Sequence, residues 1–170
     1  MPLLNNILKD IKLITTSGNM EVEVADICFD SRKVQKGSLF VAVEGTQSEV
    51  NDYINKAIKD GAVAIISEKL PASINKEVAY ITVENSAKAL GIVASNFHGN
   101  PSGKMFLVGI TGTNGKTTTV TLLFQLFKNL GYKTGLLSTV TNIIIDKEIP
   151  VTHTTPDPVQ LNDLLAQMVK

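Results

Sequence analysis

The sequence predicts an α/β protein in two parts: a small mixed α/β domain over residues 1–100, then the start of a parallel-sheet domain built round a phosphate loop over residues 101–170. Three observations carry this. Short apolar runs alternate with helix-spaced segments through the first hundred residues. The stretch H-G-N-P-S-G-K, His98 to Lys104, packs two Gly, a Pro, an Asn and a Ser into seven residues, which is linker chemistry. Beyond it, an apolar run, a Gly-rich loop and a helical pattern follow one another directly.

Taken in order, Leu3, Leu4, Ile7, Leu8 and Ile11 keep helical spacing and predict a short amphipathic helix. E-V-E-V, Glu21 to Val24, alternates like a strand, and A-D-I-C-F before Asp30 is strand-like too. S-L-F-V-A-V, Ser38 to Val43, is a strand entered through a turn at Lys36-Gly37. Tyr53, Ile54, Ala57 and Ile58 predict a helix ending at Gly61, followed by a buried strand at Ala62 to Ile66 and another at Tyr80 to Val83. Asn85 or Ser86 can cap the next helix, whose face is Ala87, Leu90, Ala94 and Phe97. Cys28 is expected to be buried and inert, and His98 to close the helix.

Past the linker, M-F-L-V-G-I, Met105 to Ile110, has the unalternating apolar character of a parallel strand covered on both faces. Lys116 to Leu130 predicts a helix with the stripe Val120, Leu123, Phe124, Phe127 and Leu130; Leu122 and Leu126 add apolar surface elsewhere, so burial nearly all round is expected. Gly131 ends it, Thr134 to Val140 returns as a parallel strand, and a hairpin is expected around Asp146-Lys147. A last helix starts with Thr155 as its cap and Pro156 in its first turn. One βαβ unit and a further helix do not complete a doubly wound sheet, so the chain is expected to stop inside its second domain. The alternative is one sheet shared by both halves.

Composition narrows the function. Sixteen Lys+Arg balance sixteen Asp+Glu, so no net field favours nucleic acid or an acidic membrane. One Cys gives no internal disulfide and fits a reducing, cytoplasmic setting. The first ten residues lack the basic and apolar regions of a signal peptide, and no apolar run approaches the ~20 residues of a membrane span.

The sharpest motif is V-G-I-T-G-T-N-G-K-T-T-T, Val108 to Thr119. A Gly-rich link from strand to helix lets successive N–H groups converge on phosphate oxygens, helped by the helix dipole. Gly112, Thr113, Asn114, Gly115, Lys116, Thr117 and Thr118 are the candidate ATP-binding residues. Lys116 is the candidate catalytic charge at the β/γ-phosphates, and the Thr117 hydroxyl the candidate Mg²⁺ ligand. The spacing departs from G-x-x-x-x-G-K-[ST], because Ile110 stands where the first Gly belongs. The competing reading is a Gly-rich turn with a solvated Lys. D-S-R, Asp30 to Arg32, reads either as a loop holding a uracil or phosphate or as an Asp–Arg pair in a Ser-capped turn. H-T-T-P-D-P, His153 to Pro158, places Thr hydroxyls and open N–H groups where a substrate anion could meet a helix start.

In this order, D-S-R-x-V-x-x-G-x-L-F-V-A-x-x-G (Asp30 to Gly45), T-G-T-N-G-K-T-T (Thr111 to Thr118) and T-T-P-D-P (Thr154 to Pro158) resemble the Mur ligases of peptidoglycan synthesis. Within that family the likeness is greatest to the branch acting on UDP-N-acetylmuramoyl-L-alanyl-D-glutamate. Another Mur-type ligase, a folylpolyglutamate synthase relative or a binding-only UDP-sugar module are the alternatives. The resemblance implies three domains: an N-terminal one for the UDP moiety, a central ATPase and a C-terminal one absent from this chain. It implies ATP and Mg²⁺ as cofactors, and UDP-MurNAc-L-Ala-D-Glu with a diamino acid as substrates. A cytoplasmic monomer without nucleic-acid or membrane partners is expected. Phe29 and Ser31 match positions that contact uridine, Thr46, Gln47 and Ser48 the loop holding the UDP-sugar, and His153, Thr154 and Thr155 the segment touching the muramoyl-peptide. After Gly45-Thr46 the pattern departs: Glu49-Val50-Asn51 stands in place of D-G-H, and Val tolerates φ > 0 poorly. A further metal-binding Glu and a carbamylated Lys would lie beyond Lys170.

Overall fold

The computed structural model describes residues 1–43, 50–71, 74–150 and 156–170. The chain divides into two compact units, Met1–Gly99 and Asn100–Lys170, and the break falls inside the Gly/Pro-rich stretch.

The first unit is a five-stranded sheet. Its strands are β1 (Leu13–Ser17), β2 (Asp26–Cys28), β3 (Ser38–Val41), β4 (Ala64–Ser67) and β5 (Ala79–Val83), in the order β1-β5-β4-β3-β2. β2 through β5 run parallel, and β1 closes the β5 edge antiparallel. Registered pairs set Cys28 beside Phe40, Phe40 beside Ile65 and Ile65 beside Tyr80. Because side chains alternate across a strand, this row forms one face. Ile54 and Ala57 of helix α2 (Val50–Lys59) join the same core cluster. Helix α3 (Ser86–Phe97) packs against β2, β4 and the short α1 (Leu4–Ile7). Asn85 caps α3 by accepting from the Lys88 N–H at 2.7 Å. Gly61 ends the α2 turn at φ 103°, where a side chain would press on the Lys36 backbone.

Several expectations change here. The opening helix spans only Leu4–Ile7. Glu21 to Val24 makes a single bridge, Leu3 to Glu23, because it lies against the first residues and outside the main sheet. The fifth strand is instead Leu13–Ser17, whose four leading residues are exposed and so carry no clear alternation. On α3 the buried face is Ala89, Leu90, Val93 and Ala94, with Ala87 in solvent. Val50 and Asn51, which stand where the family pattern has Gly-His, open α2, and Val50 carries no positive φ.

The second unit departs further. Helix α4 spans Lys116–Asn129 and stops at Gly131 (φ 86°), but none of its residues is buried. Met105 to Ile110 makes no sheet pairing among the described residues, and Phe106 is 89% exposed. A strand exists only as a ladder with a neighbour. Without that partner, β6 (Gly135–Leu137) pairs antiparallel with β7 (Asn142–Ile144), which turns tightly into β8 (Lys147–Ile149). The parallel βαβ expected here is thus a three-stranded meander. The hairpin at Asp146-Lys147 is present, and the two units carry separate sheets. The apolar stripe of α4 (Val120, Leu123, Phe124, Phe127) faces an open cavity of about 680 Å³ shared with Met105–Val108. Helix α5 (Pro158–Val169) is capped by Asp157 and not by Thr155, with Pro158 in its first turn; the cue of a capping residue before Pro occurs twice in T-P-D-P.

Candidate functional site

Two groups of candidate residues lie within the described chain, one in each unit. In the first, the edge strand β2 pairs in parallel with β3, so their C-terminal ends are adjacent. The turn leaving β2 carries Phe29, 38% exposed, and Ser31, buried. The Arg32 guanidinium donates to Asp30 from Nε (2.9 Å to Oδ1) and Nη2 (2.8 Å to Oδ2), while the Arg32 N–H donates to Oδ1 at 3.0 Å. These bonds from Arg32, side chain first, hold the Asp30 carboxyl well below the usual carboxylate range. The Asp–Arg pair is therefore present, and the turn is capped by Asp30 and not by Ser31. Cys28, just before this turn, is buried and its thiol donates to the Asp30 carbonyl at 3.0 Å; burial pushes the thiol up. Thr46, Gln47 and Ser48 lie outside the described residues.

In the second unit the phosphate-loop candidates Gly112 to Thr118 come together at the start of α4. Gly112 (φ 146°) and Gly115 (φ 77°) take left-handed backbone, and Gly115 is the helix N-cap with no side chain closing the N-terminus. A side chain added at Gly115 would meet nothing within 4 Å, so the approach to the loop is clear. Among the described residues, no main-chain N–H from Gly112 to Thr118 donates a hydrogen bond. Lys116 curls back instead, donating from Nζ to the Gly112 carbonyl at 2.5 Å and the Thr113 carbonyl at 3.2 Å. The loop therefore presents open donors and an exposed ammonium beside the positive end of a fourteen-residue helix. Such an arrangement can bind a polyphosphate.

The third candidate group is partly outside view. His153, Thr154 and Thr155 lie outside the described residues. The following helix start is less open than the sequence suggests, because Asp157 Oδ1 accepts from the Val159 and Gln160 N–H groups at 2.9 Å each. Among the described residues no three His, Cys, Asp or Glu side chains cluster as a metal cage, and Thr117 is the metal-ligand candidate that the loop itself offers.

The fold is a largely parallel sheet unit followed by a Gly-rich loop that opens a helix. The chain belongs to the Mur ligase family. Residues 23–98 match the model described as "Mur ligase family, catalytic domain" and residues 110–170 that described as "Mur ligase middle domain". It is 55% identical over 168 residues to a UDP-N-acetylmuramoyl-L-alanyl-D-glutamate--2,6-diaminopimelate ligase of Cytophaga hutchinsonii, covering 98% of this chain and 35% of the relative. The chain thus spans about a third of the length of the curated relatives it matches. A solved UDP-N-acetylmuramoyl-L-alanyl-D-glutamate--2,6-diaminopimelate ligase shares the fold with TM-score 0.74 at 23% identity, over 99% of this chain and 33% of that one. A MurF ligase of Thermotoga maritima, solved in complex with ADP, matches with TM-score 0.53 at 29% identity, over 82% of this chain and 28% of that one.

Proposed function

We propose that this chain supplies the UDP-carrier and nucleotide sites of an ATP-dependent amide ligase of peptidoglycan precursor synthesis. The observation that carries the reading is the set of undonated amides from Gly112 to Thr118 around Lys116. The substrate is UDP-MurNAc-L-Ala-D-Glu, held in the first unit by Phe29, Ser31, Thr46, Gln47 and Ser48, with His153, Thr154 and Thr155 meeting the muramoyl-peptide. The second substrate is a diamino acid, and the relatives' names support 2,6-diaminopimelate. The setting is the cytoplasm and the working form a monomer. Zero net charge supports the absence of a nucleic-acid partner, and no helix among the described residues is long and apolar enough to cross a membrane.

In this reaction the D-Glu side-chain carboxylate takes the γ-phosphoryl group of ATP, releasing ADP and leaving an acyl phosphate. The amine of the diamino acid then displaces phosphate and loses a proton to form the amide. The loop amides and the Lys116 ammonium, released from its carbonyl contacts, stabilise charge on the transferring group. The Thr117 hydroxyl would hold Mg²⁺, which would supply further charge neutralisation when bound. The reaction is assigned to the whole ligase, of whose relatives' length the chain spans about a third.

The test is Lys116→Ala in the complete ligase. Turnover should fall by at least ~100-fold, as when a donor to developing charge is removed, with affinity for the UDP carrier kept. Unchanged turnover rejects the assignment.

A further inference from the structure

Asp30 accepts more hydrogen bonds than a solvent-facing turn needs. Its carboxylate holds the Arg32 side chain at two points and the Arg32 N–H, and its carbonyl accepts from the Lys33 N–H at 2.9 Å and from the Cys28 thiol at 3.0 Å. The whole turn from Cys28 to Lys33 is therefore tied to one residue, with Ser31 buried in the middle. The Arg32 side chain is 80% exposed, and ion pairs so exposed add little to stability. The same bonds fix geometry, because a bidentate guanidinium–carboxylate pair has one planar arrangement. They fix it at the C-terminal end of the parallel edge strand β2.

We infer that Asp30 is a positioning residue: through its clasp on Arg32 it holds Ser31 and the Phe29 ring in the arrangement that receives the uridine end of the substrate. This rests on the proposed role of the first unit as the UDP-carrier site. Neither Asp30 nor Arg32 needs to touch the ligand. The clasp removes alternative turn conformations before binding, so the ligand does not have to order the turn itself.

The test is calorimetric titration of the 170-residue chain with UDP-MurNAc-L-Ala-D-Glu, alongside kinetics of the complete ligase. Asp30→Ala and Arg32→Ala should each weaken binding roughly tenfold, and Arg32→Lys should not restore it because an ammonium cannot make the two-point clasp. In the complete ligase, KM for the UDP substrate should rise while kcat and KM for ATP stay constant. A double-mutant cycle separates positioning from general stability: after Ser31→Ala, the effect of Asp30→Ala should shrink to less than half on a free-energy scale. Arg32 is exposed enough for its variant to fold, so a destabilised Asp30→Ala does not remove the test. Full affinity in Arg32→Ala, or strict additivity in the cycle, overturns the positioning role alone. Failure of the unmodified chain to bind overturns the UDP-carrier reading and the positioning role with it.

Discussion

Helices α2 and α4 show how differently the two units use apolar sequence. α2 separates a short apolar face from a polar one, and Ile54 and Ala57 are 1% and 0% exposed against the row of Cys28, Phe40, Ile65 and Tyr80. α4 is richer in Leu and Phe and buries nothing completely; Leu122 and Leu126 are 62% and 52% exposed. The difference lies in what each helix meets. In the first unit four parallel strands present a continuous surface. In the second, Met105 to Ile110 makes no ladder and the meander is three strands of three residues each. Apolar spacing states what a segment can bury, and the neighbouring layer decides whether it does.

The largest effect that follows is in packing. Ile65→Ala should destabilise the first unit by about 2–5 kcal/mol, the cost of a large-to-small change in a closed core. Leu126→Ala should change the second unit by well under about 1 kcal/mol, since a half-exposed site leaves no cavity. Urea unfolding followed by a probe in each unit measures both. Equal losses would end the contrast between a closed and an open unit.

A smaller effect sharpens it. Gly61 and Gly115 both take positive φ, so an alanine at either is strained by about 1–2 kcal/mol. At Gly61 the new carbon would also lie 2.9 Å from Lys36 Cα, whereas at Gly115 it meets open space. Gly61→Ala should therefore lower the unfolding midpoint more than Gly115→Ala. The reverse order would mean that the phosphate loop is held by its surroundings more tightly than its geometry indicates.

The same contrast explains what could be read in advance. S-L-F-V-A-V, A-V-A-I-I and Y-I-T-V announce buried strands because both faces are covered, and Asn85 and Gly61 mark helix ends by local chemistry alone. Leu13–Ser17 escapes notice because an exposed edge strand owes its existence to pairing with β5, which no local pattern reports. Met105 to Ile110 misleads for the opposite reason: its composition specifies burial, and only a pairing partner could supply it. The turn into α4 is legible because Gly112 and Gly115 stand where the backbone takes positive φ before the helix starts at Lys116. The Asp30 clasp is legible only as one of two readings, since D-S-R fits a structural pair, the favoured reading, as well as a ligand loop until the bidentate geometry is seen.

The smallest effect concerns charge. Asp30–Arg32 in the first unit is a two-point clasp reinforced by a backbone N–H, while Lys128–Asp146 in the second is one contact of 2.6 Å with the two side chains 50% and 72% exposed. Arg32 depresses the Asp30 carboxyl in the folded protein, so its contribution to stability is fully present above the ordinary aspartate pKa of about 3.9. That contribution fades as pH falls from there through the folded-state value. The stability difference between the unmodified protein and Arg32→Ala should thus be constant from about pH 5 to 8 and shrink only below about pH 4, whereas that for Lys128→Ala should vanish with added salt. Carbon-detected NMR titration of the Asp30 carboxyl reads the cause directly: its midpoint should lie below the ordinary range and return toward it in Arg32→Ala. An ordinary midpoint in the unmodified protein would place the two ion pairs in the same class.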